Sequence, residues 1–221
     1  MEKVEDFKPS NKRKKITVSG GGTGVQVGEK SKVILDAIKD RNDVDLHVYK
    51  GRGQKANDDI LKEISKNKNV KIHGFTKPEK FKKALSTSDL NVGYTGTSSL
   101  SENMSFKNPS AVYTTLENDK DYSGAVKNLK TVRDQYGLPS FTASQKRDFK
   151  RFINKTLDNP EEAVQNKSKV RKKYLKDVDK SKKVFDRKLR KAFKRSKITR
   201  PLKAVGLGAA GAGLIYHGTK E

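Results

Sequence analysis

The chain has 221 residues, with 50 Lys and Arg against 26 Asp and Glu, for a formal net charge of +24. That length holds one sizeable core plus extensions, and the lack of cysteine excludes disulfides and thiolate metal sites. A positive excess beyond what solubility requires implies an anionic partner, either nucleic acid or an acidic lipid surface. Residues 1–14 read as a polar leader, in which Lys12-Arg13-Lys14 is a solvated flank. No apolar signal core stands at its start, so export by a signal peptide is not expected.

Ile16-Thr17-Val18-Ser19 is a β-branched apolar run that stops at Gly20-Gly21-Gly22-Thr23-Gly24. Val27, Val33, Ile34, Leu35, Ala37 and Ile38 then recur at the spacing of a buried helix face, so the unit reads strand, glycine turn, helix. Such a turn seats phosphate, because glycines let the backbone approach an anion and the first helical amides lack intrahelical partners. Val44 to Tyr49 forms a second strand ended by Gly51-Arg52-Gly53, and Ile60, Leu61 and Ile64 mark a helix. Val70 to Phe75 is a third strand, Phe81, Ala84 and Leu85 a helix, Leu90 to Tyr94 a fourth strand, Leu100 and Met104 a helix, and Ala111 to Tyr113 a fifth strand. Strands alternating with helices at this spacing predict a doubly wound parallel α/β sheet. Ligands of such sheets bind at the carboxyl ends of the strands, where the glycine-bearing loops fall.

After Gly124 the pattern weakens, with Leu138 to Phe141 an edge strand and Phe149, Phe152, Ile153 and Leu157 a closing helix. The expected α/β domain is 15–160. Between Lys167 and Lys203, 18 Lys and Arg stand against three aspartates. Val170, Tyr174, Val178, Phe185, Leu189 and Phe193 fall at helical steps there, so 161–203 reads as a basic amphipathic arm. Residues 204–221 form a Gly/Ala-rich apolar tail, and the 13 residues Ala204–Tyr216 fall short of the ~20 that a helix needs to cross a bilayer. His47, His73 and His217 are scattered, with no partner at metal-ligand spacing, so no metal site is expected.

Two phosphate motifs nearly fit. A dinucleotide fingerprint fails because Gly28 comes one residue late and the second strand ends at Tyr49-Lys50 with no carboxylate. A Walker loop fails because Glu29 stands between Gly28 and Lys30-Ser31, so Lys30 is expected to point elsewhere.

Ser19 to Gly24, Gly74-Phe75-Thr76, and Ser88 to Glu102 together resemble the nucleotide-binding half of GT-B glycosyltransferases of the MurG-like and monogalactosyldiacylglycerol-synthase-like group. The likeness covers about Lys15 to Pro160, a single Rossmann-like half of that fold with a basic C-terminal helical extension. It implies a UDP-sugar as donor substrate and no separate cofactor. Ser19, Gly20, Gly21, Gly22, Thr23 and Gly24, with Gly96, Thr97, Ser98 and Ser99, would offer amides to the diphosphate. Glu102 matches the ribose-binding glutamate and Phe75 and Thr76 the segment edging the base, whereas the chain departs from the family's sugar-holding element and keeps Asn128 as its remnant. Arg52 stands ready to neutralise phosphate. The catalytic base of that family lies in an acceptor-binding half with no counterpart here. The resemblance therefore implies a hexosyl-transferring subunit or fragment, cytoplasmic and peripheral at an anionic membrane surface, paired with a separate acceptor-domain protein. Whether the lone half acts as an enzyme is left open. The alternative is a non-catalytic α/β module whose basic arm binds nucleic acid or serves inside a virion-like particle.

Overall fold

In the computed structural model, residues 13–21, 24, 26–52, 58–117, 120 and 124–196 are described, with side chains to residue 190. Gly22, Thr23, Gly53, His217, the first 12 residues of the leader and the 204–221 tail lie outside the described residues. Six strands, β1 (Lys14–Ser19), β2 (Val44–Tyr49), β3 (Val70–His73), β4 (Leu90–Gly93), β5 (Ser110–Tyr113) and β6 (Ser140–Phe141), form one sheet in the order β3-β2-β1-β4-β5-β6. Every pairing is parallel, and β1 is central, with Ile16 opposite Leu46 on one side and Leu90 on the other. The doubly wound parallel sheet expected from the sequence is therefore present. The order in which strands are added reverses at the β1/β4 boundary, the switch point at which such sheets leave a crevice outside the carboxyl ends of the strands.

The helices are α1 (Val27–Ala37), α2 (Asp58–Ile64), α3 (Pro78–Ser86), α4 (Thr97–Ser105), α5 (Ala125–Thr131), α6 (Lys146–Asp158) and α7 (Pro160–Ser196). Strand β2 alternates buried Val44, Leu46 and Val48 with half-buried Asp45, His47 and Tyr49, the period-2 signature of a sheet with one core face. On that core face Ile16, Val18, Leu46 and Val48 join Ile34 of α1, Leu61 of α2, and Phe149, Ile153 and Leu157 of α6 in one cluster. Each such side chain contributes about 1.5–3 kcal/mol when fully buried. Helix α6 is fastened over α1 by Asn154, which donates to the Ala37 carbonyl at 3.0 Å, and by the Arg41–Asp158 pair at 2.6 Å.

The opposite face is polar where β1 meets β4. Asn91 donates to the Leu85 carbonyl at 3.0 Å, and Asn108 to the Leu85 and Ser88 carbonyls at 2.6 and 2.7 Å. These bonds satisfy the carboxyl end of α3 and dock it on the sheet. Farther out, His47 Nδ1 lies 3.0 Å from His73 Nε2, and the His73 ring stacks on Tyr49 with centroids 4.4 Å apart. Burial lowers the His47 imidazole to about 4, helped by His73 and nearby lysines. These histidines are packing groups of the sheet face, and no cluster of three metal-ligating side chains occurs among the described residues.

Three boundaries differ from expectation. β3 stops at His73, so Phe75 lies in a bend and is 57 % exposed. After Gly124 the chain is regular: α5 runs into a single π-helical turn, Val132–Tyr136, ended by Gly137 at φ 75°. The compact α/β unit reaches Arg171, past the Pro160 boundary, and takes in the start of α7. The reason is chemical. Helix α4 has no basic residue in its own last turn, and Lys167 and Arg171 of α7 donate to its terminal Asn103 and Ser105 carbonyls.

Beyond Arg171, α7 continues as one helix with a predominantly charged surface. Tyr174 is buried, Val178 and Leu189 are half-buried and Phe185 is 51 % exposed. The apolar stripe read from sequence is thus only partly open, and the side chain of Phe193 lies outside the described residues. Among the described residues, no helix is long and apolar enough to cross a membrane.

Candidate functional site

Because all six strands are parallel, the loops after β1 to β5 emerge on one edge. The loop after β1 turns on Gly21 and Gly24, at φ 70° and 74°, with the Gly24 amide donating to the Gly21 carbonyl at 3.2 Å. Both are in the left-handed region that side chains disfavour. A Cβ on Gly24 would also stand 2.8 Å from the Gly51 amide nitrogen, so the loops after β1 and β2 meet backbone to backbone. Gln26, at the head of α1, is left-handed without being glycine. Its Oε1 accepts from Thr114 Oγ1 at 3.0 Å and the Thr115 amide at 3.1 Å, which pins the start of α1 to the end of β5.

Beneath the crevice, Lys30 is fully buried. Its Nζ donates to the carbonyls of Ser19, at the end of β1, and Gly93, at the end of β4, at 2.9 and 3.3 Å, and sits 5.1 Å from the Tyr94 ring centroid. Burial pulls this ammonium down to about 7, opposed by adjacent Glu29. The lysine does not face a phosphate in Walker fashion; it brackets the two strands that border the crevice. β4 and α4 approach so closely that a Cβ on Gly93 would lie 1.7 Å from Asn103 Nδ2. Any larger residue there would force the buried Asn103 amide and Ser99 hydroxyl to shift.

The loop after β4 leads into α4 through Gly96, which sits at its N-cap without a side-chain cap. Its first-turn amides, Thr97 to Ser99, therefore point toward the edge. Ser99 is committed to the scaffold, since its Oγ accepts from the Tyr94 amide at 3.0 Å. Glu102 follows one turn later, half-buried, and its carboxylate accepts no hydrogen bond from the described residues. Burial raises its carboxyl above the ordinary range, against the pull of Lys82. Among the described residues, the buried oxygens Thr95 Oγ1 and Glu29 Oε2 on this edge have no hydrogen-bond partner, nor do Asn91 Oδ1 and Asn108 Oδ1 elsewhere on the sheet. Buried polar atoms are normally paired, so Thr95 Oγ1 and Glu29 Oε2 are open to a ligand that donates hydrogen bonds.

Asn128 of α5 reaches the same edge and donates to the Thr95 carbonyl at 3.2 Å, supporting the loop after β4. Arg52 and Phe75, from the loops after β2 and β3, meet in a cation–π contact of 4.1 Å. Thr76 Oγ1 bonds the Gly74 carbonyl at 3.0 Å. The structure thus assembles Ser19, Gly20, Gly21, Gly24, Gly96 to Ser99, Glu102 and Asn128 around the β1/β4 crevice. It sets Arg52, Phe75 and Thr76 to one side, and Phe75, after β3, is three strand spacings or roughly 14 Å from the β4 end. Sequence reasoning missed Lys30 as a bracket and Thr95 and Glu29 as unpaired oxygens. Their positions directly after a strand and in the first turn of the following helix are the signal that finds them.

No family model matches the sequence, and no curated protein matches it. Solved structures do match the fold. A Staphylococcus aureus TarM variant crystallised with fondaparinux, alpha-GlcNAc-glycerol and UDP aligns at TM-score 0.54 and 19% identity, over 79% of this chain and 34% of that one. The MurG of Acinetobacter baumannii aligns at TM-score 0.53 and 19% identity, over 74% of this chain and 46% of that one. The UDP-GlcNAc 2-epimerase of Neisseria meningitidis, bound to UDP-GlcNAc, aligns at TM-score 0.52 and 14% identity, over 72% and 39%. The chain therefore has the Rossmann-like architecture of a GT-B half-domain and spans less than half the length of these proteins.

Proposed function

We propose that the chain binds a UDP-sugar at the carboxyl edge of the sheet and serves as the donor-holding half of a MurG-like glycosyltransferase, with the acceptor half supplied by another polypeptide. The observation that carries this reading is Glu102, half-buried on α4, whose carboxylate has no hydrogen-bond donor among the described residues. A ribose diol supplies two donors. Ionised, the carboxylate accepts both, and binding would return its carboxyl toward the usual acid range.

In this reading the amides of the glycine loop and the head of α4 take the diphosphate, where the helix dipole favours negative charge. The Arg52–Phe75 pair offers a flat cation and an aromatic face to the rest of the nucleotide. When a hexosyl group passes to an acceptor hydroxyl, the bond from the anomeric carbon to the phosphate oxygen breaks and UDP leaves with both electrons. The chain's donors would stabilise that growing negative charge. Deprotonation of the acceptor falls to the partner, and closure of the two halves completes the site. The TarM and epimerase structures contain UDP and UDP-GlcNAc, which supports a uridine nucleotide as the first ligand to try. We further propose that the basic helix beyond Arg171 holds the protein on an anionic membrane, each cation near the surface contributing about 1 kcal/mol.

Calorimetry with UDP and UDP-GlcNAc tests the reading. Binding is expected, and Glu102→Gln should weaken it at least about tenfold, the worth of one charge-assisted hydrogen bond. Its folding should be unchanged, because the Glu102 carboxylate bonds nothing among the described residues, and its carbonyl, which accepts from the Phe106 amide at 3.3 Å, is kept. Absence of binding at millimolar UDP, or full affinity in Glu102→Gln, overturns it.

A further inference from the structure

The opposite edge of the sheet holds a cavity of about 170 Å³, walled by Pro109 and Ser110 at the start of β5, Pro139 ahead of β6, Phe152 and Thr156 of α6, and Lys167 of α7. Its walls are mainly apolar, yet a lysine stands in them. Lys167 is 3 % exposed, and among the described residues its ammonium donates only to the Asn103 carbonyl of α4. An ammonium carries three N–H donors, so two remain for whatever enters. Among the described residues no carboxylate pairs with it: Glu162 and Lys155, both on the wall, are bonded to each other at 2.9 Å, and Arg171, one turn along α7, is a like charge whose Nε donates to the Ser105 carbonyl at 2.8 Å. Helix α4 offers this amine the Asn103 carbonyl, and its carboxylate, Glu102, forms no ion pair with Lys167. A buried cation in apolar surroundings without a counter-charge is costly.

We propose that this cavity is a binding site for a small monocarboxylate with a compact apolar body, whose carboxylate pairs with Lys167 Nζ while its ring or branched chain rests on Pro109, Pro139 and Phe152. Size sets the body. An apolar cavity of about 150 Å³ accepts a benzene ring, so the volume here suits an aromatic or short branched acid. Charge sets the head group. One ammonium balances one negative charge, whereas a phosphate would bring a second charge into apolar surroundings uncompensated. A neutral hydrocarbon would leave the ammonium as exposed to cost as before. Burial and Arg171 together lower the lysine to about 7, so a carboxylate, which binds its protonated form, gains proton uptake on binding. The site is independent of the nucleotide reading and lies at the other end of the strands.

The test is calorimetry on the full chain with benzoate, isovalerate and the neutral analogue benzyl alcohol. At least one acid should bind at millimolar concentration, with affinity falling up to about tenfold per pH unit between about pH 7 and pH 9 as Lys167 loses its proton. Lys167→Met should abolish acid binding, retain benzyl alcohol and leave UDP binding untouched. Ala163→Leu, which fills the cavity and keeps the lysine, should exclude all three compounds and serves as the deciding variant if Lys167→Met does not fold. The proposal is overturned if neither acid binds, if acid affinity is flat across that pH range, or if acid binding survives either substitution.

Discussion

At the carboxyl edge Lys30 is enclosed by carbonyls of two adjacent strands and by the Tyr94 ring; at the opposite edge Lys167 meets one carbonyl of α4 and borders a cavity. Both ammonium groups are buried, and burial brings both down to about 7. What separates them is backbone contact. Lys30 satisfies two strand-end carbonyls at the sheet's switch point, so it acts as a bracket for the crevice above it. Lys167 satisfies one helix-end carbonyl and keeps donors in reserve. A buried charge therefore has different consequences depending on how much of its hydrogen-bonding capacity the scaffold consumes.

The largest test disturbs both edges at once. Gly93 gives its carbonyl to Lys30, and its Cα faces Asn103, whose carbonyl takes Lys167. Gly93→Ala should cost at least about 3 kcal/mol in urea unfolding, at the upper end for overpacking because the clash is 1.7 Å against a buried amide. A loss below 1 kcal/mol would mean that α4 moves aside readily and does not link the edges.

Next comes the direct contrast between the lysines. Lys30→Met strands two carbonyls and should cost about 2–4 kcal/mol, whereas Lys167→Met removes an uncompensated charge from apolar surroundings and should be neutral or stabilising. Equal losses in the two variants would erase the distinction. A smaller effect is expected with pH. Folding lowers both lysines from 10.5 to about 7, so the unfolded chain binds more protons between those values and stability rises with pH there. The penalty is complete below about pH 7 and vanishes above about pH 10.5. Each lysine contributes up to about 1.4 kcal/mol per pH unit, and each methionine variant should flatten the wild-type rise by its share, measured by urea titrations at several pH values. The smallest stability effect belongs to the arm. Phe185, 51 % exposed, should tolerate serine within about 0.5 kcal/mol, while flotation with acidic liposomes weakens. Unchanged flotation, or binding of nucleic acid with no affinity for liposomes, would remove the membrane proposal.

The strand-helix alternation through β5 was legible because Ile16 to Val18, Leu46 to Val48 and Leu90 to Val92 are apolar runs bounded by glycines or turn residues. α5 and its π turn were not. Ala125, Leu129 and Val132 are buried, but they stand among lysines and threonine, and three apolar positions carry little periodicity. The two-residue β6 is held by pairing with β5, with Val112 opposite Ser140, more than by its own composition. The burial of Lys167 was illegible because a lysine at the head of a run of lysines reads as solvated; only the unsatisfied end of α4, more than 60 residues earlier, explains it. Within the site, the glycines and the α4 head could be placed from sequence by strand order alone. The Gln26 tie to β5 joins residues 88 apart and depends on tertiary pairing.

The central place of β1 also dictates an order of assembly. It precedes the other five strands of the sheet in the chain, yet its two neighbours are β2 and β4, and Ile16 meets Leu90 only after the intervening chain has been synthesised. Until then a ribbon of β1, β2 and β3 exposes one side of its most apolar strand, an open edge that invites pairing with another copy. Emergence of β4 closes that edge and simultaneously delivers Gly93 to Lys30. Nascent chains halted just short of Leu90 should therefore aggregate, and chains released past α4 should not.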